Sequence, residues 1–459
     1  MDGITVITFM RTLALLSVLL IIGMILRAKV GWIQKLYLPA SVIGGTLGLI
    51  FGPELLDVIP VSDEVFAVAT DLPANTFGFV IAGLPMCAAK MNKSELKTKI
   101  DIWTMVGILC AAGALQVAIG LGVNVISHLT ANPTYDGFGT EMMMGFCGGH
   151  GLGAIVGSYF QGLGQDYWET AQGVAMSCAT IGMVGGILMG TIVINYAIKK
   201  KKTNYVKDVS EISEDMRCGL YVDETNRPVF GNETTNPGAI DTLSLHIALL
   251  GLAVGVGYIV SDFVYSHEVP FLKDFDSWVF MLIAMYVIWP IVRAIGADKY
   301  FDERVKSRIE GFITDFIVAA AIFTMPLDMV LANIAPLAAS CIVGLLGTVG
   351  LVWFLSQRYM SEDPTEKAMG PMGMLTGDFI TGVLLTKMID PEMRSNALSD
   401  FSIAYTLNTF YMLALLAFIY PFIVNHGAGA AFGVMVVQVA IFIGITIFVG
   451  RVGRRMRKC

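Results

Sequence analysis

The chain has 459 residues, 55% of them hydrophobic and only 15% charged, with a mean hydropathy of +0.69 and a formal net charge of −7. A water-soluble protein covers its surface with roughly 25% charged residues, so a soluble globular protein is excluded and no nucleic-acid partner is expected. Runs of about 20 apolar residues, the length that crosses a bilayer, recur along the sequence, which describes an all-α polytopic protein embedded in lipid.

The first apolar run, 5–27, has no basic stretch before it and no small-residue cleavage pattern after Leu26. It is read as a retained helix rather than a signal peptide. Further spans are predicted over 38–54, 72–89, 104–126, 170–198, 242–264, 275–296, 308–331, 333–355, 399–424 and 428–450. Two more apolar segments, 141–161 and 369–390, are interrupted by glycine. Seven cysteines are scattered singly, without metal-ligand spacing, and no disulfide framework is expected.

Basic residues decide how the two interrupted segments are read. If both enter and leave the membrane on the same side, 28 of the 30 Lys and Arg fall on one face; Lys273 is opposite and Arg11 lies within the first span. If both cross, the same residues divide 14 to 14. Lys and Arg accumulate on the cytoplasmic side. The expectation is therefore two re-entrant segments, an outside N-terminus and a cytoplasmic C-terminus. Segment 141–161 dips from outside and 369–390 from inside.

The order of segments then repeats. Five helices with one re-entrant loop occupy 1–198, a polar stretch at 199–241 forms a cytoplasmic linker, and five helices with a second loop occupy 242–424. An odd number of spans per half predicts an inverted-topology repeat. Pro85 and Asn92 in the third helix correspond to Pro326 and Asn333 in the eighth, and 425–459 adds a further helix and a basic tail.

The stretch "MGFCGGHGLGAIVGSYF" at 144–160 holds six glycines. Gly145, Gly149, Gly153 and Gly157 recur every fourth residue and could form a packing stripe of a spanning helix. Gly148 and Gly151 lie off that stripe, and six glycines disfavour a helix by roughly 5 kcal/mol relative to alanine. A turn inside the membrane accounts for them better, because glycine tolerates positive φ and close backbone approach. Irregular backbone at that depth must be buried or line a water-filled cavity. Its free amides suit a carboxylate, which makes Gly148, Gly149, His150, Gly151 and Gly153 candidate substrate-binding residues. His150 either bonds the loop or touches substrate.

The second loop, "GPMGMLTGDFITGVLLTKMIDP" at 370–391, is richer in oxygen. Thr376 and Gly377 are assigned to substrate, and Asp378, Thr381 and Gly382 to a cation, since hard cations prefer oxygen ligands. An ionisable residue within a membrane segment is a functional candidate by default. Thr386 adds a further oxygen to the second loop, and Asp328, after Pro326, is a further ion candidate; Asp315 lies near the inner end of its helix, where solvation is easy, and Ser177, Thr180, Thr406 and Asn408 have ordinary helical explanations.

"LPASVIGGTLG" (38–48), "GGHGLGAIVGSYF" (148–160) and "VAMSCATIGMVGGILMG" (174–190) resemble the N-terminal half of the sodium/glutamate symporter family. The resemblance implies two inverted halves, opposed re-entrant loops and sodium-coupled uptake of an acidic amino acid across the bacterial plasma membrane. It also implies a homodimer and no cofactor besides the co-transported sodium ion. "LTGDFITG" departs from a second glycine-rich tip. The alternatives are another organic anion or proton coupling. Weaker ones are a channel and an intramembrane protease, the latter because Leu375 stands where a Gly-x-Gly-Asp motif needs glycine.

Overall fold

The structure, a computed structural model, describes residues 6–34, 38–87, 96–130, 133–205, 218–221, 223–269, 272–274, 277–390 and 394–458. Asn92, Cys459 and the basic residues Lys35, Lys90, Lys93, Lys207 and Arg217 lie outside them. Among the described residues there is no strand, and eight helices are long and apolar enough to cross a membrane.

The first part of the chain forms α1 (Val6–Lys29), α2 (Gly31–Gln34), α3 (Ala40–Phe51), α4 (Asp63–Gly83), α5 (Leu96–Ser127), α6 (Glu141–Gly153), α7 (Val156–Gly162) and α8 (Trp168–Lys199). The second part forms α9 (Thr242–Ser266), α10 (Ser277–Ala294), α11 (Glu303–Phe323), α12 (Leu327–Ala332), α13 (Ile334–Tyr359), α14 (Glu366–Met374), α15 (Phe379–Ile389) and α16 (Ala397–Lys458).

Several boundaries differ from the sequence reading, each for a local reason. The second predicted span shrinks to the 12 residues of α3, between Pro39 and Gly52. The third starts earlier than 72: Ser62 Oγ accepts the Val65 amide at 3.4 Å, and Asp63 and Glu64 occupy the first turn of α4. That is an N-cap with acidic residues at the positive end of the helix. The predicted span 308–331 breaks at Phe323, because Pro326 lacks an amide donor and restrains Met325 before it. The two last spans are one element turned at Gly427 (φ 79°, ψ 163°). The turn lays its arms together, so that Tyr411 Oη donates to Gln438 Oε1 at 2.9 Å.

Packing sorts the helices into two bodies that cut across the linker. The frame body contains α1, α3 and α4 from the first part and α9, α10 and α11 from the second. The hairpin body contains α5 to α8 and α13 to α16. Each body thus takes corresponding helices from both parts. The bodies meet chiefly where α11 and α12 touch α6 and α8. The last arm of α16 belongs to the hairpin body, running along α5 with Thr446 against Gly107 and Gly453 against Ile100.

Lys367, one of the basic residues counted at the membrane face, is instead buried. Its Nζ lies 2.7 Å from Asp101 Oδ2 on α5 and 2.8 Å from Asp400 Oδ2 on α16. Asp101 also accepts the Ser361 amide and hydroxyl at 2.9 and 2.6 Å. This network holds the base of α14 in the hairpin body. Removing one partner of such a buried pair costs roughly 3–5 kcal/mol, because it strands the other charge.

Candidate functional site

Segment 141–161 doubles back. Gly149 has φ 57° and ψ −153°, breaking α6 in its last third. The neighbours on α8 trace the reversal. Gly145, before the break, and Gly153, after it, both face the carbonyl of Ala175. Phe146 sits on Gly182, deeper along α8, and Gly157 has returned to Trp168 and Gln172 near its start. At the open end Gly137 packs against Phe160 and Tyr167, and Tyr135 stacks on Tyr167 with centroids 5.0 Å apart. Gly145, Gly153 and Gly157 of the four-residue stripe therefore do pack closely, but against α8 from two arms of a hairpin, while Gly149 lies at the turn between them.

Segment 369–390 is a second hairpin, made of α14 and α15. Gly370 and Gly373 on one arm face Gly382 and Thr381 on the other, and Phe401 of α16 caps the crossing. This hairpin lies along α8 from the opposite end: Leu385 meets Gly190, and Thr376 meets Gly186 and Gly182. The two hairpins share one helix and converge at Gly182.

Their tips touch. A Cβ placed on Gly149 would lie 2.8 Å from the Gly377 carbonyl oxygen and 3.3 Å from Asp378 Cβ. Asp378 is the N-cap of α15: its Oδ1 accepts the Thr381 amide at 2.7 Å and the Thr381 hydroxyl at 2.9 Å. Cap bonds of this kind satisfy donors that the first helical turn leaves free. The two tips thus bring glycine backbone, the Gly377 carbonyl and a half-buried carboxylate into one place.

Other predicted residues have different surroundings. His150 is buried, and its Nε2 lies 2.9 Å from Thr180 Oγ1 on α8, so it bonds a side chain rather than its own loop. The Thr376 hydroxyl donates back to the Met372 carbonyl at 2.9 Å and presses on α8. Gly382 is a packing residue beneath Phe401, and Gly151 faces Thr314 of α11 across the boundary between the bodies. Gly148 packs on Leu152 of its own hairpin. Asp328 is exposed at the start of α12, whose Val330 and Pro326 rest on Gly173 of α8. Gly173 is nine residues from Gly182, about 13 Å along the helix, so Asp328 is not brought to the tips. Asp315 takes a hydrogen bond from Ser41 at 3.1 Å. Ser177, Thr386 and Thr406 bond carbonyls one turn back in their own helices.

One residue at the tips escaped the sequence reading. Gln116, fully buried in α5, bonds both hairpins at once. The available signal was an uncharged amide in the middle of a long apolar span. Among the described residues no group of three or more His, Cys, Asp or Glu could hold a metal ion. A cation at the tips would depend on carbonyl and carboxylate oxygens.

The sequence matches the sodium/glutamate symporter family over residues 5–363, ending just before the second hairpin begins at Glu366. The sodium/glutamate symporters of Escherichia coli (strain K12) and Shigella flexneri are each 25% identical over 382 residues, covering 82% of this chain and 87% of theirs. A bundle of apolar helices with glycine-broken hairpins accords with a membrane transporter. The chain belongs to the sodium/glutamate symporter family.

Proposed function

We propose that this protein takes up glutamate or a related acidic amino acid, driven by sodium, across the bacterial inner membrane. The observation that carries the reading is the meeting of the two hairpin tips at Gly149 and Gly377–Asp378 on α8. Both hairpins are read as re-entrant, with the N-terminus outside and the C-terminus in the cytoplasm. The equal contribution of the two parts to each body supports an inverted repeat, and the family supports a homodimer.

The glycine amides at 148–153 receive a substrate carboxylate. The Gly377 carbonyl and Asp378 supply oxygens to sodium, the ligand type a hard cation takes. Sodium offsets both the substrate's negative charge and Asp378. Either charge alone is costly to remove from water, so each ligand favours the other. With one sodium per substrate anion the transported charges cancel, so the sodium concentration gradient drives accumulation; a second sodium would add about 2.3 kcal/mol per 100 mV. The packing supports the hairpin body, rather than one half of the chain, as the unit that moves. Displacement against the frame body opens the tips alternately to either side.

Uptake into proteoliposomes, with a panel of labelled acids, tests this. Glutamate should accumulate against its gradient only when a sodium gradient is present. Uptake driven equally by a proton gradient without sodium would refute sodium coupling, and equilibration without accumulation would indicate a channel. Orientation has its own test. Reporter fusions after Lys202 and Cys459 should both report cytoplasm, and one near Glu268 the outside; disagreement between the first two would remove the re-entrant assignment.

A further inference from the structure

We propose that Gln116 is a positioning residue that couples the two hairpin tips, so that sodium taken up beside Asp378 is felt at Gly149. The inference rests on the preceding assignment of Asp378 to sodium. Gln116 stands in α5, outside both hairpins, and is fully buried. Its Oε1 accepts the Cys147 thiol at 3.0 Å. Its Nε2 donates to the Leu375 carbonyl at 2.6 Å and to Thr348 Oγ1 of α13 at 2.9 Å. The amide's orientation follows from these partners, because a flipped amide would set its oxygen against the Leu375 carbonyl, with no hydrogen between two acceptors.

The two anchor points are equivalent. Cys147 precedes the turn glycine Gly149 by two residues, and Leu375 precedes Gly377 by two. Leu375 immediately follows the end of α14 at Met374, where the last carbonyls have no partner within the helix. Gln116 supplies a donor to one of them. One planar group therefore joins the stem of each tip, and its bonds hold only while both tips keep their relative position. A shift of either tip by about 1 Å stretches a 2.6–3.0 Å bond beyond hydrogen-bond range or moves the other tip with it. A merely structural amide would stabilise the bundle without linking sodium to the first hairpin.

Cys147 provides a readout that does not need the transported solute. With Cys147 as the sole cysteine, its rate of modification by a small maleimide is measured in proteoliposomes with and without sodium. With Gln116 intact, sodium should slow the reaction. In Gln116→Leu the basal rate should rise, because the thiol loses its acceptor, and the protection by sodium should fall at least five-fold. In uptake assays the ratio of substrate KM at low and high sodium should collapse toward one. Gln116→Met keeps the length but has no N–H to donate to Leu375, and should show the same collapse if Gln116→Leu does not fold. Thr348→Val removes only the third bond and should retain sodium protection. Sodium protection retained in the folded Gln116 variants, or lost equally in Thr348→Val, would overturn the coupling role while leaving the Asp378 assignment intact. Absence of sodium protection with Gln116 intact would overturn both.

Discussion

Asp378→Asn is expected to abolish sodium-driven uptake, or to raise the sodium concentration for half-maximal uptake at least ten-fold, a loss of about 1.4 kcal/mol in sodium binding. The reason is that the substitution separates two roles of one side chain. As N-cap of α15, Asp378 bonds the Thr381 amide and hydroxyl through Oδ1. Asparagine caps a helix about as well as aspartate, so the hairpin should fold and reach the membrane. What disappears is the negative charge at the tip. Asp378→Ala removes both roles and should add about 1 kcal/mol of destabilisation from the lost cap. A sodium titration of uptake, normalised to protein in the membrane, reads the difference. An Asp378→Asn protein with wild-type sodium dependence would reduce Asp378 to a cap and require the ion to bind away from the tips.

Gly149→Ala should reduce uptake by more than ten-fold. The residue has φ 57°, where a side chain costs roughly 1–2 kcal/mol. The new Cβ would also sit 2.8 Å from the Gly377 carbonyl oxygen, closer than ordinary packing allows. Backbone strain alone would destabilise the first hairpin, and the steric contact forces the tips apart as well. Gly255→Ala, in α9, is the control. Its Cβ would meet nothing within 4 Å, and its φ is not positive, so uptake should fall by less than three-fold. Equal activity of the two variants in an uptake assay would mean that tip contact has no part in transport.

The glycine content of 145–157 made the first reversal legible, because a left-handed residue at 149 is the kind of position glycine occupies. Asp378 was legible for a similar reason, as a carboxylate in an apolar segment. The shared use of α8 was not. Gly182 and Gly186 read equally well as a stripe for any neighbouring helix, and nothing in the sequence names Phe146 and Thr376 as the residues that fill them. Gln116 was hidden because a single amide in an apolar helix most often bonds whatever is nearest; its meaning lies in two partners 31 and 259 positions away. Thr376 could be read only in part: the sequence offers its oxygen, and the structure adds that its hydroxyl donates to the preceding turn at Met372, which leaves the lone pairs on that oxygen.

The division into two bodies has a consequence for how the protein is made. The tip at Gly149 rests on Gly377 and Asp378, more than 220 positions later in the chain. At 5–20 residues per second, a ribosome needs about 10–45 s to cover that distance. Once α8 is made, the first hairpin has α5 and α8 beside it but no opposing tip, and until Thr348 is made Gln116 has only Cys147 of its three partners. The face of α8 at Gly182, Gly186 and Gly190 that the second hairpin covers is therefore left to other occupants, such as lipid, until that hairpin is made.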